Sequence, residues 1–109
     1  MKLIFAIVQD DDAANLNDTL NEEGFRVTKL ATTGGFLKEG NTTLIVGVDD
    51  EKVNHVLAKI EEVCRTREQI VVSTAPATID SGGFIPFPVE IEVGGAVVFV
   101  VDVDKYIKI

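Results

Sequence analysis

The stretch LIFAIVQDDDAANLNDTLNEEG, residues 3–24, contains one strand and one helix in succession. Its first part is apolar on both faces, as the central strand of a sheet must be. The acidic cluster Asp10–Asp12 then suits the positive N-terminal end of a helix, and Gly24 stands where a left-handed C-terminal cap is favoured. We therefore expect a buried strand that continues directly into an amphipathic helix.

Two further strands and a second helix follow this unit. Phe25 to Thr32 alternates in polarity and Thr42 to Val48 gives a further strand, so the two are expected to pair antiparallel. Asp49 and Asp50 begin the second helix. Its apolar stripe has helical spacing and consists of Val53, Val56, Leu57, Ile60, Val63 and Cys64.

The last third of the chain is predicted to contain a long loop and a closing hairpin. Thr74 to Pro88 holds all three prolines of the chain and two adjacent glycines, a composition typical of a loop. Residues 89–93 alternate in polarity, Gly94-Gly95 suits a two-residue turn, and Ala96 to Val103 is an apolar strand. We therefore expect the two segments beside the glycines to pair as a β-hairpin.

This order of elements predicts an α+β fold, a ferredoxin-like βαββαβ sandwich with an extra β-hairpin, in a single domain over residues 1–109. Helices cover only one face of such a sheet. Val97 to Val101 is apolar at five consecutive positions, so the uncovered face needs a partner. Symmetric self-association would supply that partner, and we expect a homo-oligomer.

The composition excludes some partners and compartments. Ten Lys and Arg against eighteen Asp and Glu give a net charge of −8, which would repel the phosphate backbone of DNA or RNA. The apolar run in MKLIFAIVQDDD is too short to span a membrane and lacks a small-residue cleavage site. Cys64 is the only cysteine, which fits a reducing compartment. We expect a cytoplasmic protein that binds no DNA or RNA and does not insert into a membrane.

Candidate catalytic residues do not form a recognisable set. Carboxylates after the first and third strands, together with Lys105, faintly resemble a phospho-accepting receiver domain, but that domain needs a parallel sheet with about five βα units. His55 lies off the apolar stripe and has no partner at metal-ligand spacing, so a solvated surface position is favoured. Cys64 continues the stripe and is interpreted as a small buried hydrophobe. We predict no catalytic residue, no metal site and no enzymatic activity.

A polar face on the second and third strands is the remaining candidate site. The period of two places Arg26 and Thr28 on one face of the second strand. Arg26 provides a fork of donors suited to phosphate, and Thr or Asn side chains can hydrogen-bond a phosphate oxygen or a base edge. The corresponding face of the third strand carries Asn41, Thr43 and Gly47.

The loop between these two strands has the sequence TTGGFL at residues 32–37. Gly34 and Gly35 allow backbone N–H groups to converge on an anion, and Phe36 offers an aromatic face for a base. Glycine-rich turns are common, however, and a flexible hairpin tip with Phe36 at an interface explains the same residues. From the residues alone, both interpretations stay open.

Several segments are similar to a known family along nearly the whole chain. FAIVQDDD, FRVTKLATTGGFLKEGNTTLIVGVDD, TREQ and FIPFPVEIEVGGAVVFVVDVD together resemble the bacterial PII-like cyclic di-AMP receptor proteins. The block from Val27 to Leu37 is specific to that resemblance. It implies a cytoplasmic homotrimer of ferredoxin-like subunits with a nucleotide pocket between neighbouring subunits. It also implies no catalysis and no cofactor, with cyclic di-AMP as the ligand.

The resemblance further implies that ligand contacts fall on the matching positions, all of which carry matching residue types. At Gly24 and Lys108 the chain departs from relatives that have amide side chains there, so contacts at those two positions are not carried over. The implied contacts are Arg26, Thr28, Gly35, Phe36, Leu37, Asn41 and Gly47, with Phe99 nearby.

The role implied by the resemblance is signal transduction, in which the ligand changes loop conformation and so regulates an unknown protein partner. A PII-like sensor of ATP or ADP is the nearest alternative. A linear triphosphate carries more negative charge than Arg26, with Lys29 and Lys38 nearby, could neutralise, which favours a ligand with fewer charges. An enzyme acting on nucleotides is the alternative from another class, and the sequence places no general-base histidine next to the glycine loop.

Overall fold

The computed structural model describes residues 1–32, 40–76 and 84–109. Two helices and six strands are present in this part of the chain. In chain order they are β1 (Lys2–Gln9), α1 (Asp10–Glu22), β2 (Val27–Thr32), β3 (Asn41–Val48), α2 (Val53–Cys64), β4 (Arg67–Pro76), β5 (Phe84–Val93) and β6 (Ala96–Asp102), with a short 3-10 turn (Asp50–Lys52) before α2.

Four of these strands form the main sheet in the order β2-β3-β1-β6. All neighbours are antiparallel, and at one level of the sheet Ile4 pairs with Val46 on one side and with Val100 on the other. This is the strand order of a ferredoxin-like sandwich in which β6 takes the place of the fourth strand. The predicted fold class is confirmed. No helix among the described residues is long and apolar enough to cross a membrane.

Helices α1 and α2 cover one face of the main sheet and form the core with it. Alternation along β1 and β3 turns every second side chain toward the helices, because successive residues of a strand point to opposite faces. Burying a Leu, Ile or Val side chain stabilises the fold by roughly 1.5–3 kcal/mol. The core residues are Ile4, Ala6, Val8, Ala13, Leu16, Leu20, Leu44, Val46, Val48, Val56, Ile60 and Cys64.

The end of α1 positions the chain that enters β2. Gly24 has a φ of +89°, and its N–H donates to the Asn21 carbonyl oxygen at 3.0 Å, while the Phe25 N–H donates to that of Leu20 at 3.0 Å. This pair of bonds is the Schellman motif, which a glycine permits without strain. The predicted cap at Gly24 is confirmed, and it sets Arg26 directly before β2.

The predicted hairpin between residues 89–93 and 96–103 is wrong. Gly94 and Gly95 have φ values of +86° and +91°, but they carry the chain from β5 into a different sheet. The Gly94 N–H donates to Gln9 Oε1 at 2.6 Å, which fixes the change of direction. The reason is competition for the partner: β5 pairs instead with β4, over the full ten residues of each strand.

The long loop predicted at Thr74 to Pro88 is also wrong at both of its ends. Its first three residues belong to β4 and its last five to β5, and residues 77–83 lie outside the described part of the chain. Pro86 and Pro88 fit a strand here because a two-stranded ladder leaves one edge of each strand unpaired. Pro86 and Pro88 are two residues apart, so their backbone nitrogens lie on the same edge of the strand. On the unpaired edge no backbone N–H is needed for pairing.

The β4–β5 ladder, named here the arm, projects from the rest of the molecule. The radius of gyration is 18.6 Å and the longest dimension is 68 Å. A compact domain of this length would have a radius of gyration of about 13 Å. The arm therefore has little packing of its own against the core, and its position depends on the contacts at its base.

A partly buried ion pair anchors the base of the arm to the start of α1. Arg67 Nη2 lies 2.7 Å from Asp12 Oδ1, and Arg67 Nη1 lies 3.3 Å from Asp12 Oδ2 and 3.0 Å from the Arg65 carbonyl oxygen. The Asp12 side chain is only 4% exposed, whereas that of Arg67 is 44% exposed. The hydrogen bond to Asp12 raises the pKa of the Arg67 guanidinium. The arm is thus held by a two-point contact to a nearly buried carboxylate.

Removing the cation of this pair should destabilise the protein more than removing an exposed one. Arg67→Ala leaves the Asp12 carboxylate buried and unpaired, and we expect a loss of roughly 1–3 kcal/mol in the free energy of unfolding. Arg65→Ala is the control, because Arg65 pairs with Glu61 at 3.9 Å and both side chains are largely exposed. That change should cost less than about 1 kcal/mol. Urea unfolding curves measure both, and equal losses would contradict the assigned role.

Cys64 should be chemically inert in the folded chain. The side chain is buried, and burial, aided by the nearby Asp12 charge, raises the pKa of its thiol to about 12. We expect no reaction with a thiol-specific disulfide reagent at pH 8, where the thiolate is nearly absent, and one reactive thiol per chain after unfolding in guanidinium. Rapid stoichiometric labelling of the native protein would show that α2 does not bury this residue.

Candidate functional site

A cavity of about 340 Å³ opens on the sheet face opposite the two helices. Three predicted site residues, Arg26, Thr28 and Gly47, lie in its wall. The other lining residues come from both ends of the described chain and from the middle of the sheet. Among the described residues, the lining consists of Met1, Leu3, Arg26, Thr28, Ile45, Gly47, Val103 and Tyr106.

The register of β2 and β3 brings the three predicted residues together. Val27 pairs with Val46, which belongs to the core, and Thr28 pairs with Ile45. Because neighbouring residues face opposite sides of a strand, Thr28 and Gly47 point away from the helices. Arg26 immediately precedes β2 and lies at the same end of the ladder as Gly47. The cavity is therefore a direct consequence of the β2–β3 pairing.

Gly47 enlarges the cavity rather than satisfying a packing requirement. A Cβ atom built at this position would meet only the Met1 methyl group, at an ordinary contact distance of 3.6 Å. Gly47 is itself exposed. Its lack of a side chain leaves open surface between Arg26 and the apolar part of the wall.

The floor of the cavity is fixed by polar contacts at the ends of β1 and β6. The N-terminal ammonium of Met1 lies 2.8 Å from Asp50 Oδ1, and the hydrogen bond from this ammonium lowers the pKa of the Asp50 carboxyl group. The Val103 N–H donates to the Met1 carbonyl oxygen at 3.1 Å. Lys2 also pairs with Asp102 across the two strands. These contacts hold Met1 and Val103 side by side.

The cavity combines one cation with an apolar wall. Among the described lining residues, Arg26 has the only charged side chain, Thr28 contributes a hydroxyl group, and most of the others are apolar. A guanidinium group binds phosphate oxygens through two parallel N–H bonds, and a flat apolar surface suits a nucleobase. The arrangement can therefore accept an anion that is joined to an aromatic group.

Phe99 shares the face of the cavity but lies outside it. Across the sheet, Thr28 pairs with Ile45, which pairs with Phe5, which pairs with Phe99. Three strand spacings separate the two ends of this row, about 14 Å. Phe99 is 47% exposed. It stands on the opposite edge strand from Thr28.

The other predicted contacts do not join this cavity in the described chain. Asn41 lies six residues before Gly47 on β3, about 20 Å away, and is only 5% exposed. Gly35, Phe36 and Leu37 lie outside the described residues. Gly24 caps α1, and Lys108 is exposed but is not part of the cavity wall.

Sequence reasoning missed five wall residues: Met1, Leu3, Ile45, Val103 and Tyr106. Met1 and Val103 could have been found, because antiparallel pairing of β1 with β6 brings the start of one strand to the end of the other, as the Lys2–Asp102 pair shows. No sequence signal marked Tyr106, which lies beyond the last strand in a segment without regular secondary structure.

His55 and Cys64, two of the residues considered for catalysis, are not part of the wall of this cavity. His55 is exposed and its Nε2 lies 3.1 Å from Glu23 Oε2, as expected for a surface histidine. Cys64 is buried among the core residues on the helix side of the sheet. The described residues contain no group of three or more His, Cys, Asp and Glu side chains that could hold a metal ion.

A second cavity, of about 430 Å³, lies at the opposite end of β1, near the base of the arm. The described part of its wall carries three carboxylate side chains and no basic side chain, an arrangement that would repel a phosphate group. The lining residues are Gln9, Asp10, Asp11, Gly40, Ile91, Glu92 and Val93. Of the two cavities, the one around Arg26 is the better candidate for an anionic ligand.

Comparisons with known proteins agree with this choice of ligand class. A family model described as "Cyclic-di-AMP receptor" matches residues 1–109, the whole chain. A solved structure, the crystal structure of a functionally unknown protein from Pediococcus pentosaceus ATCC 25745, is 41% identical in sequence and superposes with a TM-score of 0.80. The match covers 99% of this chain and 96% of that chain.

Proposed function

Because the chain belongs to the cyclic-di-AMP receptor family, we propose that cyclic di-AMP binds in the cavity around Arg26 and that the protein is a non-enzymatic signal-transduction protein. The observation that carries the proposal is the meeting of Arg26, Thr28 and Gly47 in one otherwise apolar cavity. The period of two along the strands predicts that all three lie on one polar face.

The chemistry of the ligand matches the cavity in two parts. Arg26 offers a fork of N–H donors to one phosphate, and the Thr28 hydroxyl group can donate to a phosphate oxygen or a base edge. Leu3 and Ile45 offer apolar surface to an adenine. A volume of about 340 Å³ is near the lower end of the range for small-molecule sites. One chain therefore provides part of a site for a ligand with two bases and two phosphates.

The remainder of the site, in our proposal, comes from a neighbouring subunit of a homotrimer. A ring of three identical subunits joins one edge of each chain to a different edge of the next. Here the two edges of the main sheet are β2, which carries Thr28, and β6, which carries Phe99. Such a ring would bring Arg26 of one chain toward Phe99 of the next, two residues that one chain holds about 14 Å apart.

The uncovered sheet face supports the same assembly. Leu30, Phe99 and Val101 are 43%, 47% and 46% exposed on the side away from the helices. An apolar surface of this kind is characteristic of subunit contacts. Three such faces packed around a common axis would remove these side chains from water.

Signal output, in the same proposal, is a change of loop conformation that alters binding of a downstream protein. The strand that holds Thr28 leads directly into the connection between β2 and β3. A ligand that binds one conformation of that connection more tightly than another increases the population of the tighter-binding conformation. The size of the increase is set by the ratio of the two affinities.

The phosphate assignment predicts a specific effect of Arg26→Ala. The loss of a hydrogen-bonded charged group costs about 1.5–3 kcal/mol, so affinity for cyclic di-AMP should fall roughly 10- to 150-fold. Lys29→Ala is the matched control, because it removes the same charge three residues along the chain, where the side chain points to the other face of β2. It should bind nearly as the wild type does.

Calorimetric titration of both variants with cyclic di-AMP, cyclic di-GMP and ATP makes this measurement. Arg26→Lys should recover only part of the affinity, since an ammonium group cannot reproduce the fork. Equal losses in Arg26→Ala and Lys29→Ala would indicate a general charge effect and contradict a phosphate contact at Arg26. Tighter binding of ATP than of cyclic di-AMP would contradict the assigned ligand.

The assembly prediction is a trimer in the absence of ligand, with three times the chain mass of 11.8 kDa. Light scattering after size-exclusion chromatography measures it. Val101→Glu, on the uncovered face at the β6 edge, should dissociate the trimer by burying a charge. Ile70→Glu is the control, because Ile70 is 66% exposed on the arm and outside that face. A wild-type monomer at micromolar concentration would remove the shared site from the account.

A further inference from the structure

We propose that Tyr106 is a ligand-contacting residue, whose ring stacks on an adenine of cyclic di-AMP and holds it against the apolar wall of the cavity. This inference rests on the proposed function and extends it to a residue that is not among the predicted ligand contacts.

The path of the chain after β6 brings Tyr106 to the cavity. β6 is an edge strand, and the β2–β3 pair that holds Arg26, Thr28 and Gly47 lies on the far side of β1. Tyr106 nevertheless lines the same cavity as these three residues. The segment from Val103 to Tyr106 therefore crosses the end of β1, and the Val103 N–H bond to the Met1 carbonyl oxygen fixes the start of the crossing.

The surface of Tyr106 is available to a ligand. Tyr106 is 65% exposed although it belongs to a cavity wall, so most of its surface is not in contact with other residues of the chain. Aromatic rings stack on nucleobases through flat, offset contacts, and the phenol oxygen can stay in water at the edge of the contact. Leu3 and Ile45 provide apolar surface in the same cavity, and Arg26 provides the adjacent cation.

The neighbouring side chain gives a matched comparison within the same segment. Ile107 is 66% exposed, almost the same as Tyr106, but it is not part of the cavity wall. If the segment acted only by packing against a neighbouring subunit, the two exposed residues would be equivalent. If the segment acts through a ligand contact at the cavity, Tyr106 is required and Ile107 is not.

The chain provides its own optical probe for this contact. Tyr106 is the only tyrosine, and there is no tryptophan. Ultraviolet-excited emission near the tyrosine maximum therefore reports on this residue alone. Titration with cyclic di-AMP should change that emission in a saturable manner, and the midpoint should coincide with the calorimetric affinity. Equal additions of ligand to free tyrosine correct for absorption by the adenines.

Three variants test the contact by affinity. Tyr106→Ala should weaken cyclic di-AMP binding roughly 5- to 150-fold, the usual effect of removing one aromatic stacking partner of a base. Tyr106→Phe keeps the ring and should bind within about twofold of the wild type, since the hydroxyl group is not assigned a contact. Ile107→Ala should bind as the wild type does. Light scattering checks that all three have the wild-type mass.

The outcomes separate this inference from the function on which it rests. A wild-type chain that does not bind cyclic di-AMP overturns the proposed function. A wild type that binds without a change in tyrosine emission, together with unaltered affinity in Tyr106→Ala, overturns only the stacking contact. Equal losses in Tyr106→Ala and Ile107→Ala also overturn it, because the segment would then act through assembly.

Discussion

Two helices cover only one face of the four-stranded sheet, and the position of the candidate site depends on this one-sided cover. Ile4, Ala6 and Val8 on the covered face are fully buried, whereas Phe99 and Val101 on the other face keep nearly half of their surface exposed. Apolar surface removed from water contributes about 25 cal/mol per Å². The open face therefore favours contact with something apolar, and the cavity around Arg26 lies on the same face.

The chemistry of the cavity depends in turn on strand register. A slip of β2 by one residue against β3 would turn Thr28 toward the helices and would move Val27, which packs against the core, to the open face. The Schellman cap at Gly24 fixes where β2 begins, and the polar contacts of Met1 fix the floor. Thr28 and Gly47 are thus placed by strands that the core stabilises, and Met1 is placed by its polar contacts, which is the condition for a preorganised site.

The sequence predicted those parts that depend on local periodicity. The β1–α1 unit, the stripe of α2 and the shared face of Arg26, Thr28 and Gly47 follow from periods of 3.6 and 2 residues. The prediction of a hairpin at Gly94-Gly95 failed because two glycines with positive φ are equally suited to a tight turn and to a connection between two different sheets. The loop prediction for Thr74 to Pro88 failed because proline is tolerated on an unpaired strand edge. Only the pairing with the partner strand determines which edge is unpaired. Tyr106 was missed because the crossing after β6 has no periodic pattern.

Mixing of subunits is the most direct test of the claim that one binding site draws on two chains. An Arg26→Ala chain and a Phe99→Ala chain are each expected to bind cyclic di-AMP weakly alone, because every site in either trimer lacks one contact. If Arg26 and Phe99 come from neighbouring chains, co-expressed mixed trimers contain intact sites, about one quarter of the total for random assembly. Calorimetric titration of the mixture should then show a high-affinity class of that size. A mixture that binds no better than the two variants measured separately would show that both residues act from the same chain, and would contradict the shared site.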